Sequence, residues 1–141
     1  MISSISKKIK KTILNQDSRG SNISIIDKKI NNICIITCFS NSIRSNHYHK
    51  KNWHYMYVLE GVMDYFFVNK NKIFYIKLKK GDLVFTPPKE LHATFFPIKT
   101  VLVVASKIKR DKNTYEKDTV RKKFIDFKNL KSIKKHAKKI K

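Results

Sequence analysis

The chain of 141 residues reads as an all-β domain with a short helical extension at each end. Eight apolar segments of four to seven residues follow one another between residues 22 and 105. They are rich in isoleucine, valine, phenylalanine and tyrosine, and too short to be helices of ordinary length. Turn-forming residues separate them, at Gly61, 69–71, 79–82 and 87–90. Helical spacing of apolar residues occurs only outside this region, at the two ends.

Residues 1–14 place Ile2, Ile5, Ile9 and Ile13 three or four apart among lysines, which predicts an amphipathic arm docking on the domain or on a partner subunit. Strands are expected at 22–27, 33–39, 55–59, 62–68, 73–78, 83–86, 92–96 and 101–105. The second of these carries both cysteines, Cys34 and Cys38. Four residues along a strand span roughly 13 Å, too far for a disulfide, so both read as apolar core thiols in a reducing compartment. The body of the domain is 15–121. Within 122–141, Phe124, Phe127, Leu130, Ile133, Ala137 and Ile140 recur at three- and four-residue steps in a lysine-rich background. That pattern predicts a C-terminal helix that packs on the body and is dispensable for chemistry.

Four of the five histidines are clustered by spacing. His47 and His49 are two apart, so on a strand they share a face. His54 follows after four residues, and Gly61 after six more. Gly81 is followed after five residues by Pro87, and His92 stands five beyond that proline. Neutral imidazole is both a metal ligand and a proton shuttle near neutral pH. A convergent cluster therefore points to metal binding, acid–base chemistry or both. His136, isolated in the tail, reads as a solvated residue. No carboxylate stands at a spacing that pairs it with a cluster histidine; Asp64 and Glu60 are the nearest candidates.

The stretches 46–61 and 81–96 resemble the two signature motifs of the cupin family, small antiparallel jelly-roll barrels. In the first, His54 takes the position usually held by glutamate. In the second, Lys89 takes a glycine position and Phe96 an asparagine position. The resemblance covers about residues 15–120 and implies a cupin jelly-roll barrel. The string IRSNHYHKKNWHYMYVLEG, with DSRG at 17–20 and TYEKDTVR at 114–121, is similar to cupins of nucleotide-sugar and surface-polysaccharide pathways. Ser45 stands where those relatives usually have glycine, which puts the backbone path before His47 in question.

The resemblance implies an isomerase or epimerase acting on a nucleotide-linked 4-keto-6-deoxy sugar in surface-glycan biosynthesis. His47 or His49 would transfer the proton, and Arg44, Tyr57 and Tyr65 would contact substrate. Tyr48, Tyr55 and Tyr75 are further candidates for the acid, although alternation turns Tyr55 and Tyr57 away from the face of His54. The family also implies a homodimer. The alternative is one divalent metal ion (zinc, iron, nickel or manganese) held by His47, His49, His54 and His92. Such a site would serve a dioxygenase, or a metal- and sugar-binding module without catalysis.

The formal net charge is +22, of which residues 107–141 carry +11. Lysine supplies 28 of the 32 basic residues, alongside 19 isoleucines and 11 asparagines. These residues share A/T-rich codons, and the scarcity of arginine, the better bidentate phosphate reader, argues against nucleic acid as a partner. A positive field does steer anionic ligands such as a nucleotide diphosphate inward. No apolar run reaches the roughly 20 residues of a membrane span, and the N-terminus lacks a secretory apolar run. The sequence expectation is a cytoplasmic protein.

Overall fold

Alternation of apolar and polar side chains determines most of the architecture. The computed structural model describes residues 3–141. Its strands are β1 (Lys7–Lys8), β2 (Thr12–Asp17), β3 (Gly20–Ser24), β4 (Asn32–Cys38), β5 (Ser42–His49), β6 (His54–Glu60), β7 (Val62–Asn69) and β8 (Lys72–Lys79). There follow β9 (Leu83–Thr86), β10 (His92–Phe96), β11 (Thr100–Ser106), α1 (Lys112–Asp118), β12 (Thr119–Arg121), α2 (Leu130–His136) and β13 (Lys138–Ile140). One sheet has the order β1-β9-β6-β11-β4, the other β12-β5-β10-β7-β8-β13, and β2-β3 form a separate hairpin.

The two larger sheets meet through their inner faces. Met56 and Val58 of β6, Val84 of β9, and Leu102 and Val104 of β11 pack against Met63, Tyr65 and Phe67 of β7, Ile76 and Leu78 of β8, and Phe96 of β10. On β6 the period of two is strict. His54, Met56 and Val58 are buried, whereas Tyr55 and Tyr57 are half-buried on the other face. Gly61 joins β6 to β7 with φ of 94°, where a Cβ would collide with the Lys99 carbonyl and Thr100. Only glycine meets both demands. Cys38 is buried and Cys34 half-buried, and both are free thiols.

The N-terminal segment is extended, contrary to the helix its isoleucine spacing predicts; Ile2 lies outside the described residues. Lys7 and Lys8 pair with Phe85 and Val84, covering an edge of β9 that would otherwise be open. β2 and β3 turn back on each other at Asp17, whose carboxylate accepts the Arg19 N–H at 2.9 Å. The β-branched isoleucines gain less from a helix than from an available strand edge. The arm is tied further at Ser6. Its N–H donates to Glu90 Oε2 at 2.9 Å, and its hydroxyl donates to Glu90 Oε1. Ser6 Oγ also lies 2.7 Å from the Tyr65 phenol, which bonds Thr86 Oγ1 at 2.7 Å.

The C-terminal segment packs on the domain as expected, but it is not one helix. Residues 122–129 are irregular, α2 is seven residues long, and β13 joins the six-stranded sheet parallel to β8. A local turn explains the break: Asp126 Oδ1 accepts the N–H groups of Lys128 and Asn129, each at 2.9 Å. Such side-chain bonds compete with the helical ladder. Ile125, Leu130, Ile133 and Ala137 cover Phe66, Tyr75 and Ala93 on the outer face of the six-stranded sheet. Lys134 donates to the buried Asp64 carboxylate at 2.7 Å, and the Tyr75 phenol donates to the same group at 2.6 Å. Among the described residues, Lys8 and Lys134 are the lysines in ion pairs, so most of the positive charge is uncompensated at the surface. No described helix is long and apolar enough to cross a membrane.

Candidate active site

His47 and His49 on β5 and His92 on β10 converge because the two strands are neighbours, with His47 directly opposite His92. The His47 ring centroid is 4.7 Å from that of His49 and 4.9 Å from that of His92. His54 approaches from the facing sheet, its ring 5.5 Å from His49 and 5.3 Å from His92. All four are buried. His47, His49 and His54 line a small cleft of about 70 Å³ whose walls include Met56, Phe96 and Leu102 and whose rim carries Arg44, Arg110 and Tyr115.

Burial, reinforced by the neighbouring imidazoles, holds the His47 pKa down at about 2. Burial lowers His49 to about 4, against the opposing pull of the Asp118 carboxylate. Burial also lowers His92 to about 4 and His54 well below its ordinary value. The cluster is therefore neutral at physiological pH, the form a base or a metal ligand requires.

His49 has the partner that sequence spacing does not reveal. Its Nδ1 lies 3.4 Å from Asp118 Oδ2 and 3.3 Å from the Thr119 hydroxyl. Asp118 is fixed by the N–H groups of Lys51 at 2.8 Å and Asn52 at 3.2 Å. The helix α1 and the pairing of Thr119 with His49 deliver this carboxylate from far along the chain. Tyr115, on the same helix, brings its ring to 5.5 Å from His49, with the Arg110 guanidinium 4.9 Å from the tyrosine ring. The string at 114–121 contains both Tyr115 and Asp118, but nothing local in the sequence pairs them with His49.

The tyrosines expected at the site are elsewhere. Tyr57 is on the outer face of β6, beside Lys11, and does not line the cleft. Tyr65 faces inward but is fully buried. It stacks on His92 at 5.9 Å with its hydroxyl bound to Ser6 and Thr86, so it supports the histidine rather than facing a ligand. Tyr48 and Tyr55 also fall outside the cleft lining, and Tyr75 is bound to Asp64. Arg44 does line the cleft.

The residues fit a divalent cation at three histidines rather than four. Among the described residues, ligand atoms of His47, His49 and His92 lie within 4.8 Å of one another, and His54, on the opposite sheet, is outside that group. His92 Nδ1 faces the Glu90 carbonyl at 3.0 Å, while its Nε2 is buried without a partner. Donation from Nδ1 to that carbonyl leaves the Nε2 lone pair available to a cation.

Both glycine positions that this sequence replaces retain a glycine-like backbone. Ser45 has φ of 69° and Lys89 φ of 64°. The Lys89 N–H donates to the His49 carbonyl at 2.6 Å, which holds that turn against the histidine strand. Left-handed backbone costs a residue with a Cβ roughly 1–2 kcal/mol. Allowing for the larger chain entropy of unfolded glycine, Ser45→Gly and Lys89→Gly should each stabilise by about 1 kcal/mol, raising the melting midpoint by roughly 3 °C. A lower midpoint by scanning calorimetry would refute this account.

The chain belongs to the cupin family: the family model described as Cupin matches residues 22–134. No curated protein matches the chain by sequence. Solved structures do resemble it. QdtA, a sugar 3,4-ketoisomerase from Thermoanaerobacterium thermosaccharolyticum in complex with TDP, superposes with a TM-score of 0.70 at 20% identity, covering 95% of this chain and 98% of that one. WlaRB, a TDP-quinovose 3,4-ketoisomerase from Campylobacter jejuni, has a TM-score of 0.71 at 18% identity, covering 84% and 94%. CapF, a capsular polysaccharide assembling protein from Staphylococcus aureus, has a TM-score of 0.61 at 19% identity, covering 82% of this chain and 33% of that one.

Proposed function

We propose that this cupin is a nucleotide-sugar isomerase that moves the ketone of a 4-keto-6-deoxy sugar by proton transfer. The observation that carries the reading is a neutral His49 in the cleft wall with Asp118 behind it. The likeness to 3,4-ketoisomerase structures supports it at the level of fold.

With Nδ1–H directed at Asp118, the His49 Nε2 lone pair is free to take the proton from carbon 3. The C–H electron pair becomes a C3=C4 double bond as the carbonyl pair moves onto O4, which takes a proton from the Tyr115 phenol. In the return step the 3-hydroxyl gives its proton to the tyrosinate, and His49 returns its proton to carbon 4. The product is the 3-ketone, with both side chains restored. Asp118 stabilises the imidazolium between the steps. Arg44 and Arg110 at the rim offer bidentate donors to the diphosphate.

The three-histidine group favours a second reading. A divalent cation held by His47, His49 and His92 would polarise a ligand oxygen. Proton NMR of dTDP-4-keto-6-deoxyglucose with the protein in D₂O, with and without chelator, separates the two. The expected result is the signal of a new 3-keto sugar, unaffected by chelator, with deuterium at carbon 4 to the extent that the proton on His49 exchanges with solvent before its return. Neither a new sugar signal nor deuterium would overturn the isomerase reading, and loss of turnover on chelation would favour the cation.

The active form is read as a homodimer. β4 is a sheet edge, residues 30–43 carry no charge, and Ile33, Ile35 and Phe39 are 61%, 70% and 76% exposed. An uncharged apolar edge in so basic a protein suits a second copy of itself. Sedimentation should show a dimer that Ile35→Lys dissociates; a monomeric wild type would exclude it.

A further inference from the structure

We propose that Asn46 is a positioning residue through which the C-terminal segment 122–125 sets the direction of His47 and His49; the inference rests on the reading of those histidines as the working site. Arg44 stands opposite Thr94 and His47 opposite His92, partners that share one face of β10, yet on an unbroken strand residues three apart face opposite ways. From Arg44 inward, alternation would turn residues 46 and 48 to the cleft and both histidines away. The bulge in β5 resolves the conflict. Its register against β10 runs from Ala93 opposite Ser45 to His92 opposite His47, which leaves Asn46 as the extra residue.

The bulge is built from two consecutive non-glycine residues in the left-handed region, Ser45 at φ of 69° and Asn46 at φ of 54°. That conformation persists only where the surroundings over-determine it. Here the C-terminal segment does so. Asn46 Oδ1 accepts the N–H groups of Phe124 and Ile125, each at 3.0 Å. Its Nδ2 donates to the Ile125 carbonyl at 3.0 Å, and its own carbonyl accepts the Lys122 N–H at 2.9 Å. Ile125 is buried against Phe66, Tyr75 and Ala93, so the tether has a rigid anchor. β12, just before the tether, pairs Arg121 with His47. The tail is thus part of the site, in contrast to the dispensable helix its spacing suggests.

The test uses the full chain. Asn46→Gly keeps a backbone that tolerates the left-handed region and removes the side-chain tether. By NMR, the Phe124 and Ile125 amides should exchange at least tenfold faster and the His47 ring resonances should shift. Deuterium incorporation into dTDP-4-keto-6-deoxyglucose should fall at least tenfold. Freed amides with unchanged His47 resonances would overturn the proposal, and so would amides that stay protected. The ring and amide signals need no turnover, so they report even if the protein does not act on this sugar. Should Asn46→Gly fail to fold, the near-isosteric Asn46→Asp carries the test. It keeps the acceptor and loses the donor to Ile125, and should move the His47 resonances the same way by less; wild-type resonances there would refute it.

Discussion

Acidification from about pH 7.5 to about pH 5.5 is expected to lower the melting midpoint by roughly 10 °C. The four cluster histidines are held below their ordinary pKa by burial, so the unfolded chain binds protons there that the folded chain does not. Stability is then fully present above the unfolded value near 6.5 and is lost as pH falls toward the folded values. One unit below 6.5, each histidine costs about 1.4 kcal/mol, and four cost about 5 kcal/mol. Glu90 works in the opposite sense. Burial raises its carboxyl to about 7, so its folded form takes up a proton over the same range and offsets part of the loss. The remainder, about 3–4 kcal/mol, is a large share of the roughly 5–15 kcal/mol that holds a domain together. Calorimetry on chelator-treated protein across this range decides it. A flat midpoint would mean that the histidines are not buried neutral.

Replacing the base should have the largest effect on turnover. His49→Asn is expected to reduce kcat/KM for deuterium incorporation by about 10³-fold, within the span a positioned base contributes. Asp118→Asn should cost about 10²-fold. The amide can present a donor to His49 Nδ1, which favours the tautomer whose Nε2 already carries a proton. Asp118 also accepts two backbone N–H bonds from Lys51 and Asn52, so some loss of melting midpoint is expected as well. The decisive comparison is kinetic: a folded Asp118→Asn protein with wild-type kcat/KM would remove the dyad from the mechanism.

How far these features were legible in the sequence depends on how local they are. The strands from β6 to β11 follow from apolar runs and turn residues, because each segment buries one face whatever its partner. The approach of His47, His49 and His92 follows from motif spacing. The strand at 12–17 and the strand at 138–140 were not legible, because a sheet edge elsewhere, or a returning hairpin, overrides isoleucines spaced as in a helix. Asp118 and Tyr115 were hidden for the same kind of reason, since their meaning comes from β12 lying beside β5. Tyr57 and Tyr65 are the converse case, where residue type suggested contact with a ligand but face and burial leave them outside the cleft lining. The bulge at Asn46 lies between these cases. The glycine replaced at Ser45 marks the spot, but only the tail that grips Asn46 explains why the strand changes face there.

The segments on either side of the sheets also bear on how the protein is made. Ser6 closes onto Glu90, and Ile140 pairs with Ile76. The segment that grips the histidine strand comes after residue 121. A nascent chain that has reached only residue 121 would have both sheets largely spelled out. It would still lack the cover over Phe66 and Tyr75, the partner of Asp64 and the support for the bulge. Synthesis therefore places the step that forms the site later than the strands that carry the histidines, once residues 122–125 have left the ribosome. Until then the basic, half-covered domain depends on its charge to keep it from self-association.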